Sequence, residues 1–522
     1  MDQADAAGGD RALMAPAGEG EVANRGLITV SIMLATIMQA LDTTIANVAL
    51  PDMQGSFAVA QDQVAWVLTS YIVAAAIATP LCGWLAMRYG RKRLFLLSVA
   101  GFTVASLMCG VAGSLTQMVI DRLLQGLFGA ALVPLSQAVL LDSNPREKHG
   151  QAMAIWGAGI MLGPILGPTL GGWLTDNYTW RWVFYINLPV GIVCFLGLLL
   201  FLRETPTSRG RPFDFFGFAM LSIAVGAAQM MLDRGELKDW FGSTEIRIYF
   251  SLIVAAFWVF VVWTAMADHP FFNRTLLKDR NFVAGCIFIA VIGVVLYGTL
   301  ALMPPFLQTL MDYPVVTTGL LLAPRGIATM IGMLIVGRLS GKVDTRLMLL
   351  FGFAVTSYSL WQMAHFDLQM DWWPVVVTGV VQGFGLGFLF VPLTTIAFAT
   401  LDPRLRTEAA GIYSLIRNVG ASIGISFCET ELARGMQISH QSFAAAMTPF
   451  NRALTSPHVQ TYWNIHSTAG LAALNAEINR QAAMQAYIDV FMVIMVIALA
   501  SVPLLFLLRE VKTQAGAAPA VE

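Results

Sequence analysis

An all-α polytopic membrane protein is the fold class this sequence predicts, on three observations. Of its 522 residues 57% are hydrophobic and 12% charged, for a mean hydropathy of +0.68. The apolar residues gather into runs close to the roughly 20 residues that a helix needs to cross a bilayer. Two stretches of the first part of the chain recur in the second at one fixed offset. Soluble domains carry roughly 25% charged residues. Half that share, over such a length, excludes a disordered chain, a coiled coil and an ordinary soluble enzyme. The net charge of −1 offers no attraction to nucleic acid. The five cysteines (Cys82, Cys109, Cys194, Cys286, Cys428) are far apart and odd in number, so no disulfide framework is expected.

Residues 1–24 are Gly/Ala-rich and acidic without an apolar core, and are expected to be a mobile cytoplasmic tail rather than a cleavable signal. Fourteen apolar runs then predict helices, numbered here as segments 1 to 14. They lie at 26–50, 64–86, 94–113, 114–141, 151–174, 181–202, 214–232, 246–267, 281–303, 317–338, 347–365, 374–396, 408–428 and 486–508. Connections are short except 203–213, 233–245, 268–280 and 429–485. With the N-terminus placed in the cytoplasm, most of the 31 Lys+Arg fall on the inner side, as the positive-inside rule asks. Both termini are therefore expected in the cytoplasm, which needs an even span count. Twelve is the alternative, should segments 7 and 8 lie outside the membrane.

Gly83-Trp-Leu-Ala-Met-Arg-Tyr-Gly-Arg-Lys-Arg93 after segment 2 recurs as Gly337-Arg-Leu-Ser-Gly-Lys-Val-Asp-Thr-Arg346 after segment 10. Gly83 and Gly337 are 254 residues apart, and so are Pro51-Asp-Met-Gln54 and Pro305-Phe-Leu-Gln308. Segments 1–6 and 9–14 then read as related halves, with 7 and 8 inserted. The expected layout is an N-terminal half over 25–203, an insertion over 204–280, a C-terminal half over 281–510 including an outer loop 429–485, and a cytoplasmic tail 511–522. Parallel six-helix repeats with a site between them near the midplane are a transporter plan.

Five stretches, the Gly83 repeat among them, carry a resemblance. They are Leu41-Asp-Thr-Thr-Ile-Ala-Asn-Val-Ala-Leu-Pro51 in segment 1, Gly83 to Arg93, Arg122-Leu-Leu-Gln-Gly126 in segment 4, the Gly/Pro run Gly157 to Gly172 in segment 5, and Trp180-Arg-Trp-Val-Phe-Tyr-Ile-Asn-Leu-Pro-Val-Gly191 opening segment 6. In this order they resemble the major facilitator superfamily, its fourteen-span drug:proton antiporter family, and within that the EmrB-type multidrug efflux transporters, over about residues 25–510. The resemblance implies the major facilitator fold, two six-helix halves plus two inserted helices. It implies proton-coupled efflux of lipophilic drugs or toxic compounds across the bacterial inner membrane, with no cofactor beyond the proton motive force. It also implies a membrane-fusion adaptor protein and an outer-membrane channel as partners in a tripartite pump. A dedicated exporter of one metabolite, such as a fatty acid or siderophore, is the alternative within the same mechanism.

Asp42 is the sharpest candidate. A carboxylate within a span costs roughly 2.5–3.5 kcal/mol on insertion scales, so its presence asks for a reason. Proton coupling is one; a structural Asp bonded to Thr or backbone groups is the other. Arg122 stands as deep in segment 4 as Asp42 does in segment 1, each eight residues (about 12 Å) from the expected outer surface. The two are expected to interact, either to couple protons or as a fixed ion pair, with neighbouring Asp121 as a competing partner for Arg122. Gln39 lies one turn before Asp42 on the same face.

In segment 5, Gly163 and Gly167 permit close helix approach, and Pro164 and Pro168 each remove a backbone donor. The family motif associates these four with gating and export. Arg88 and Arg91 in the Gly83 turn are expected either to help close the cytoplasmic side or to serve topology alone. The acid that relatives place in this turn is Met87 here, so any charge lock needs another partner; Asp344 of the second copy is one candidate. Arg325 and Arg417 are intramembrane cations that can meet anionic substrate, close a gate or serve structure. Met38, Trp66, Tyr71, Gln125, Trp156, Tyr297 and Tyr413 are, with Gln39 and Arg417, the candidate substrate lining, because aromatic and Met side chains suit loosely recognised lipophilic molecules. No His/Cys/Glu ligand set, phosphate loop or catalytic motif is legible, so neither an enzyme nor a metal site is expected. The stretch 429–485 is expected to be a polar, Ala/Gln/Asn-rich loop; the resemblance implies that it faces the periplasm and docks the adaptor, a solvated loop being the alternative.

Overall fold

The computed structural model describes residues 24–508 except 205–211, 449, 452–453 and 455. The expected tails, 1–24 but for Asn24 and 511–522, lie outside the described residues. The described residues form helices and no named strand, with one isolated bridge between Ser340 and Val343. Eleven helices are long and apolar enough to cross a membrane, or twelve when the bent pair Trp66–Ala78 and Leu81–Tyr89 counts as one. Helices Thr345–Met363 and Arg406–Ala446 occupy segments 11 and 13 but fall short of that mark. Ser, Thr, Gln and Arg dilute their apolar runs, so by length and composition alone eleven or twelve of the fourteen expected spans are found among the described residues.

Several segments are broken, and prolines explain where. Segment 4 divides into Leu115–Gly129 and Leu132–Ser143, segment 5 into His149–Ile160 and Leu162–Asn177, and segment 6 into Trp182–Tyr185 and Asn187–Phe201. Pro134, Pro164 and Pro189 follow these breaks. Each lacks the N–H that would bond four residues back, to Ala130, Ile160 and Tyr185, and its ring crowds that carbonyl. Segment 2 bends by 56° at Thr79-Pro80 for the same reason. Pro51 and Pro305 mark matching points in the repeat: segment 1 gives way to a short helix, Leu50–Phe57, and segment 9 ends in the π-turn Phe306–Leu310.

Segment 5 lies between the halves. A Cβ built at Gly163 would lie 2.6 Å from the Ala40 carbonyl of segment 1, and one at Gly167 would collide with the Thr44 hydroxyl. Thr44 Oγ1 donates to the Gly163 carbonyl at 3.0 Å, which fixes the register of this contact. The other side of segment 5 meets segment 10, where a Cβ at Gly157 would lie 2.7 Å from Met333 Sδ and one at Gly337 would lie 2.6 Å from Ala154 Cβ. Glycine brings the helices close on both faces, and at Gly163 a methyl group would meet backbone that cannot step aside.

The inserted helices Phe215–Arg234 and Thr244–Met266 pack on each other. The first also touches segments 2 and 13, where Gln229 Nε2 donates to Ser422 Oγ at 2.7 Å. The second keeps a broad apolar face outward, including Phe257 and Trp258. All five cysteines are buried and free.

The stretch 429–485 corrects the expected loop. Segment 13 continues as helix to Ala446, and the last apolar helix begins at Thr468 rather than at 486. Ala, Glu, Gln and Leu are strong helix formers, and nothing confines such a helix to the bilayer. Between the two extensions, Leu454, Leu474 and Ile478 form a small core of their own with Phe443 and Trp463 against it. His440 Nε2 and Asn475 Oδ1 lie 3.0 Å apart across it.

Candidate functional site

The break in segment 6 places a polar side chain in an otherwise apolar helix. Asn187 opens the second piece, 1% exposed, and its Nδ2 donates at 2.9 Å to Asp42 Oδ1. The same nitrogen lies 3.0 Å from Ser106 Oγ of segment 3, which in turn donates to the Phe184 carbonyl at 2.9 Å. From segment 4, Gln125 Nε2 donates to the same Asp42 oxygen at 2.8 Å, and Arg122 Nη1 donates to Asp42 Oδ2 at 2.7 Å. Arg122 Nη1 also reaches Gln125 Oε1 at 2.7 Å, and its Nε donates to the Val67 carbonyl of segment 2 at 3.0 Å. Its guanidinium lies over the Tyr71 ring, 4.5 Å from the centroid, with Phe184 at 5.6 Å.

Five segments of the first half thus converge on one carboxylate. Asp42, Arg122, Gln125 and Asn187 are each at most 1% exposed. Every group bonded to the Asp42 carboxylate is a donor, as suits an acceptor-only side chain. The ion pair is buried and hydrogen-bonded on both partners, the condition under which such a pair is tolerated and its breaking is costly. The competitor Asp121 is not used: Arg122 faces Asp42, and Asp121 Oδ2 has no partner among the described residues.

The remaining candidates divide between two regions. Gln39 Nε2 lies 3.4 Å from Tyr71 Oη, and Met38 and Tyr71 belong to the first half's core. Trp156 of segment 5 and Tyr413 are buried in the larger core, which joins segments 4 and 5 to the second half, with Tyr297 packed against it. Tyr413 Oη lies 3.5 Å from Thr394 Oγ1. Trp66 is engaged by the inserted helix, with the Arg234 guanidinium 5.3 Å from its ring. Arg417 is 8% exposed and contacts Asn418 Oδ1 at 3.5 Å. The nine lining candidates therefore do not form one wall.

A second polar cluster joins the halves at the end carrying the Gly83 turn. Arg91 pairs with Asp142 at the end of segment 4, and Arg406 Nη1 from the second half meets the other Asp142 oxygen at 2.7 Å. A Cβ at Gly83 would lie 2.6 Å from Glu408 Cα. Asp142 thus takes the acidic part that Met87 cannot. Asp344 does not serve there; it caps its own helix, accepting from Arg346 N at 2.8 Å. Arg88 is exposed on the same turn. The sequence reading missed Asn187, Ser106 and Asp142. A polar amide beside a proline in the apolar run of segment 6 was the available signal for Asn187, while the parts of Ser106 and Asp142 depend on which helices become neighbours.

A family model of the Major Facilitator Superfamily matches residues 32–425. The chain is 39% identical over 430 residues to the multidrug export protein EmrB of Escherichia coli K12, covering 81% of this chain and 83% of that protein. It is 35% identical over 486 residues to the fatty acid resistance protein FarB of Neisseria gonorrhoeae, covering 92% of this chain and 96% of that one. In fold it is similar to the crystal structure of the human organic anion transporter MFSD10, with a TM-score of 0.59, 13% identity and coverage of 91% of this chain and 99% of the other. With repeated halves, inserted helices and this much shared sequence, the chain belongs to the Major Facilitator Superfamily and, within it, to the EmrB-type transporters.

Proposed function

We propose that this protein exports lipophilic drugs or toxic compounds across the bacterial inner membrane in exchange for protons. The observation that carries the reading is the Asp42 carboxylate, buried in segment 1 and held by Arg122, Gln125 and Asn187. A proton arriving on Asp42 neutralises it and weakens its hold on Arg122. The guanidinium keeps two acceptors, the Val67 carbonyl and Gln125 Oε1, so it is not stranded when the ion pair loosens. Segments 1, 2, 4 and 6 then repack, and the change passes to segment 5, whose glycines lie directly on segment 1.

In this reading the Gly83 end is cytoplasmic, as are both termini. Arg91, Asp142 and Arg406 form the latch that holds that side shut, with Arg88 beside it. Gly163, Pro164, Gly167 and Pro168 form the moving joint. Substrate lies between the halves, met by different members of the lining set (Met38, Gln39, Trp66, Tyr71, Gln125, Trp156, Tyr297, Tyr413 and Arg417) rather than by one wall. The domain divisions follow the repeat: 25–203, the insertion 204–280 and 281–510. The chain acts as a transporter rather than an enzyme and draws on the proton motive force, with no cofactor. The helical extensions between 429 and 485 present the surface on which a membrane-fusion adaptor docks, leading to an outer-membrane channel.

Everted membrane vesicles test the central claim. Adding a lipophilic drug should release protons from the acidified lumen, and Asp42→Asn should abolish that release at unchanged expression. Retained drug-driven release in Asp42→Asn would remove Asp42 from the mechanism. The likeness to FarB favours a second reading, export of one lipophilic acid by the same antiport. A toxicity panel in a pump-deficient host, with and without the adaptor, separates broad from single-substrate export.

A further inference from the structure

The repeat relates the two halves residue by residue near their centres. The offset of 254 that carries Gly83 onto Gly337 also carries Asp42 onto Leu296 and Tyr71 onto Arg325. A matching backbone contact lies beside these residues, at glycines 257 rather than 254 residues apart. A Cβ on Gly126 would collide with the Tyr71 carbonyl, and one on Gly383 would collide with the Arg325 carbonyl. In each half that glycine follows a glutamine, Gln125 or Gln382.

The charges differ. In the first half, Arg122 stands three residues before its glutamine and faces Asp42. In the second half Gly379 stands three residues before Gln382, the cation has moved to segment 10 as Arg325, and the place of the carboxylate is Leu296. Arg325 is 5% exposed. Its Nη2 donates to Thr299 Oγ1 at 2.8 Å and reaches the Leu296 carbonyl at 3.5 Å, while Nη1 has no partner among the described residues. Gln382 is fully buried, and its amide nitrogen and oxygen are both without a partner among the described residues. Gly379, Gln382 and Gly383 share one helix face, and both glycines lie against Arg325. The spare guanidinium and amide donors therefore border the same interface of segments 9, 10 and 12.

A buried guanidinium with a free N–H calls for an ionised acceptor, and its planar fork fits a carboxylate. Apolar neighbours along the three helices, Val295, Leu296, Ala328 and Leu386, suit a hydrocarbon chain. We propose that Arg325 and Gln382 receive the anionic head of a lipophilic carboxylic acid. The first half then carries the proton and the second carries the charge of the cargo. This inference rests on the efflux reading for its purpose, but binding alone tests it.

The test uses the full chain in nanodiscs of zwitterionic lipid, so that headgroup anions do not compete. Dodecanoate and dodecyltrimethylammonium are the matched probes, followed by titration calorimetry. Dodecanoate should bind. Arg325→Met should weaken it at least tenfold, Gln382→Leu several-fold, and Arg325→Lys less than Arg325→Met, with dodecyltrimethylammonium unchanged throughout. If Arg325→Met fails to fold, Gln382→Leu and Arg325→Lys carry the test. Absence of dodecanoate binding in the parent protein, equal loss for both probes, or unchanged binding in Gln382→Leu and every folded Arg325 variant would overturn the proposal. Dodecanoate binding without any drug-driven proton release would instead defeat the efflux reading and leave the anion site standing.

Discussion

Asn187 donates to the Asp42 carboxylate at 2.9 Å from a helix start created by the break before Pro189. The amide holds one carboxylate oxygen while Arg122 holds the other. Asn187 thereby positions Asp42 against the cation without carrying charge itself. Asn187→Leu should destabilise the protein by about 1–3 kcal/mol, the usual cost of leaving a buried polar partner unsatisfied. It should also lower drug-driven proton release several-fold and displace its pH profile. A melting curve and a pH series in everted vesicles check both; a changed melt with an unmoved profile would make Asn187 purely structural.

The Asp42–Arg122 pair should behave as a unit. Arg122→Gln leaves a buried carboxylate without its cation, a loss of about 3–5 kcal/mol in comparable sites. Combining it with Asp42→Asn removes both charges, so the double variant should be more stable than Arg122→Gln alone, and neither should transport. Thermal unfolding of the four proteins gives the coupling energy. Additive losses would show that the two side chains do not depend on each other.

Much of this arrangement was legible beforehand because membrane sequences are constrained. Apolar runs mark helices, and a carboxylate among them demands a partner at similar depth. Equal depth sufficed to bring Asp42 and Arg122 together, because helical rise is fixed. It could not bring in Asn187 or Ser106, whose parts depend on which helices become neighbours. The stretch 429–485 reads as a loop in sequence because polarity argues against a span, yet it does not argue against a helix. Residue type alone points to the lining residues, and type does not tell a cavity wall from a core: Trp156 and Tyr413 are buried in the large core that joins segments 4 and 5 to the second half. The acid of the basic latch went unassigned for a related reason. Asp142 lies at the end of segment 4, far in sequence from both Arg91 and Arg406.

Segment 5 should tolerate no bulk on its segment 1 face. A Cβ at Gly163 meets backbone atoms of Ala40 at 2.6 Å, and backbone cannot step aside as a flexible side chain can. Gly163→Val should cut export by at least tenfold while the protein still inserts. Gly172, where a Cβ would find only Val316 Cγ2 at 3.8 Å, is the control, and Gly172→Ala should keep near-normal export. Drug accumulation in a pump-deficient host reads both, and equal tolerance at the two positions would remove the close-packed joint from the mechanism.

Asp142 should set how firmly the Gly83 end closes. It bridges Arg91 of the first half and Arg406 of the second, so one substitution cuts both contacts. Partly exposed pairs of this kind contribute little singly, about 0–1 kcal/mol, so global stability should barely change. The population of the open form should change instead, because the Asp142–Arg406 contact exists only while the halves meet at that end. A reporter cysteine at Ser340, which lies against Gly150 across the same interface, should react faster with a water-soluble maleimide in Asp142→Ala than in the parent. The reporter is placed in a background whose five native cysteines are replaced by serine or alanine. Asp142→Glu should restore slow labelling, since it keeps the charge. Labelling at the parent rate in Asp142→Ala would mean that the close packing at Gly83 and Gly150 shuts this end without the ion pairs.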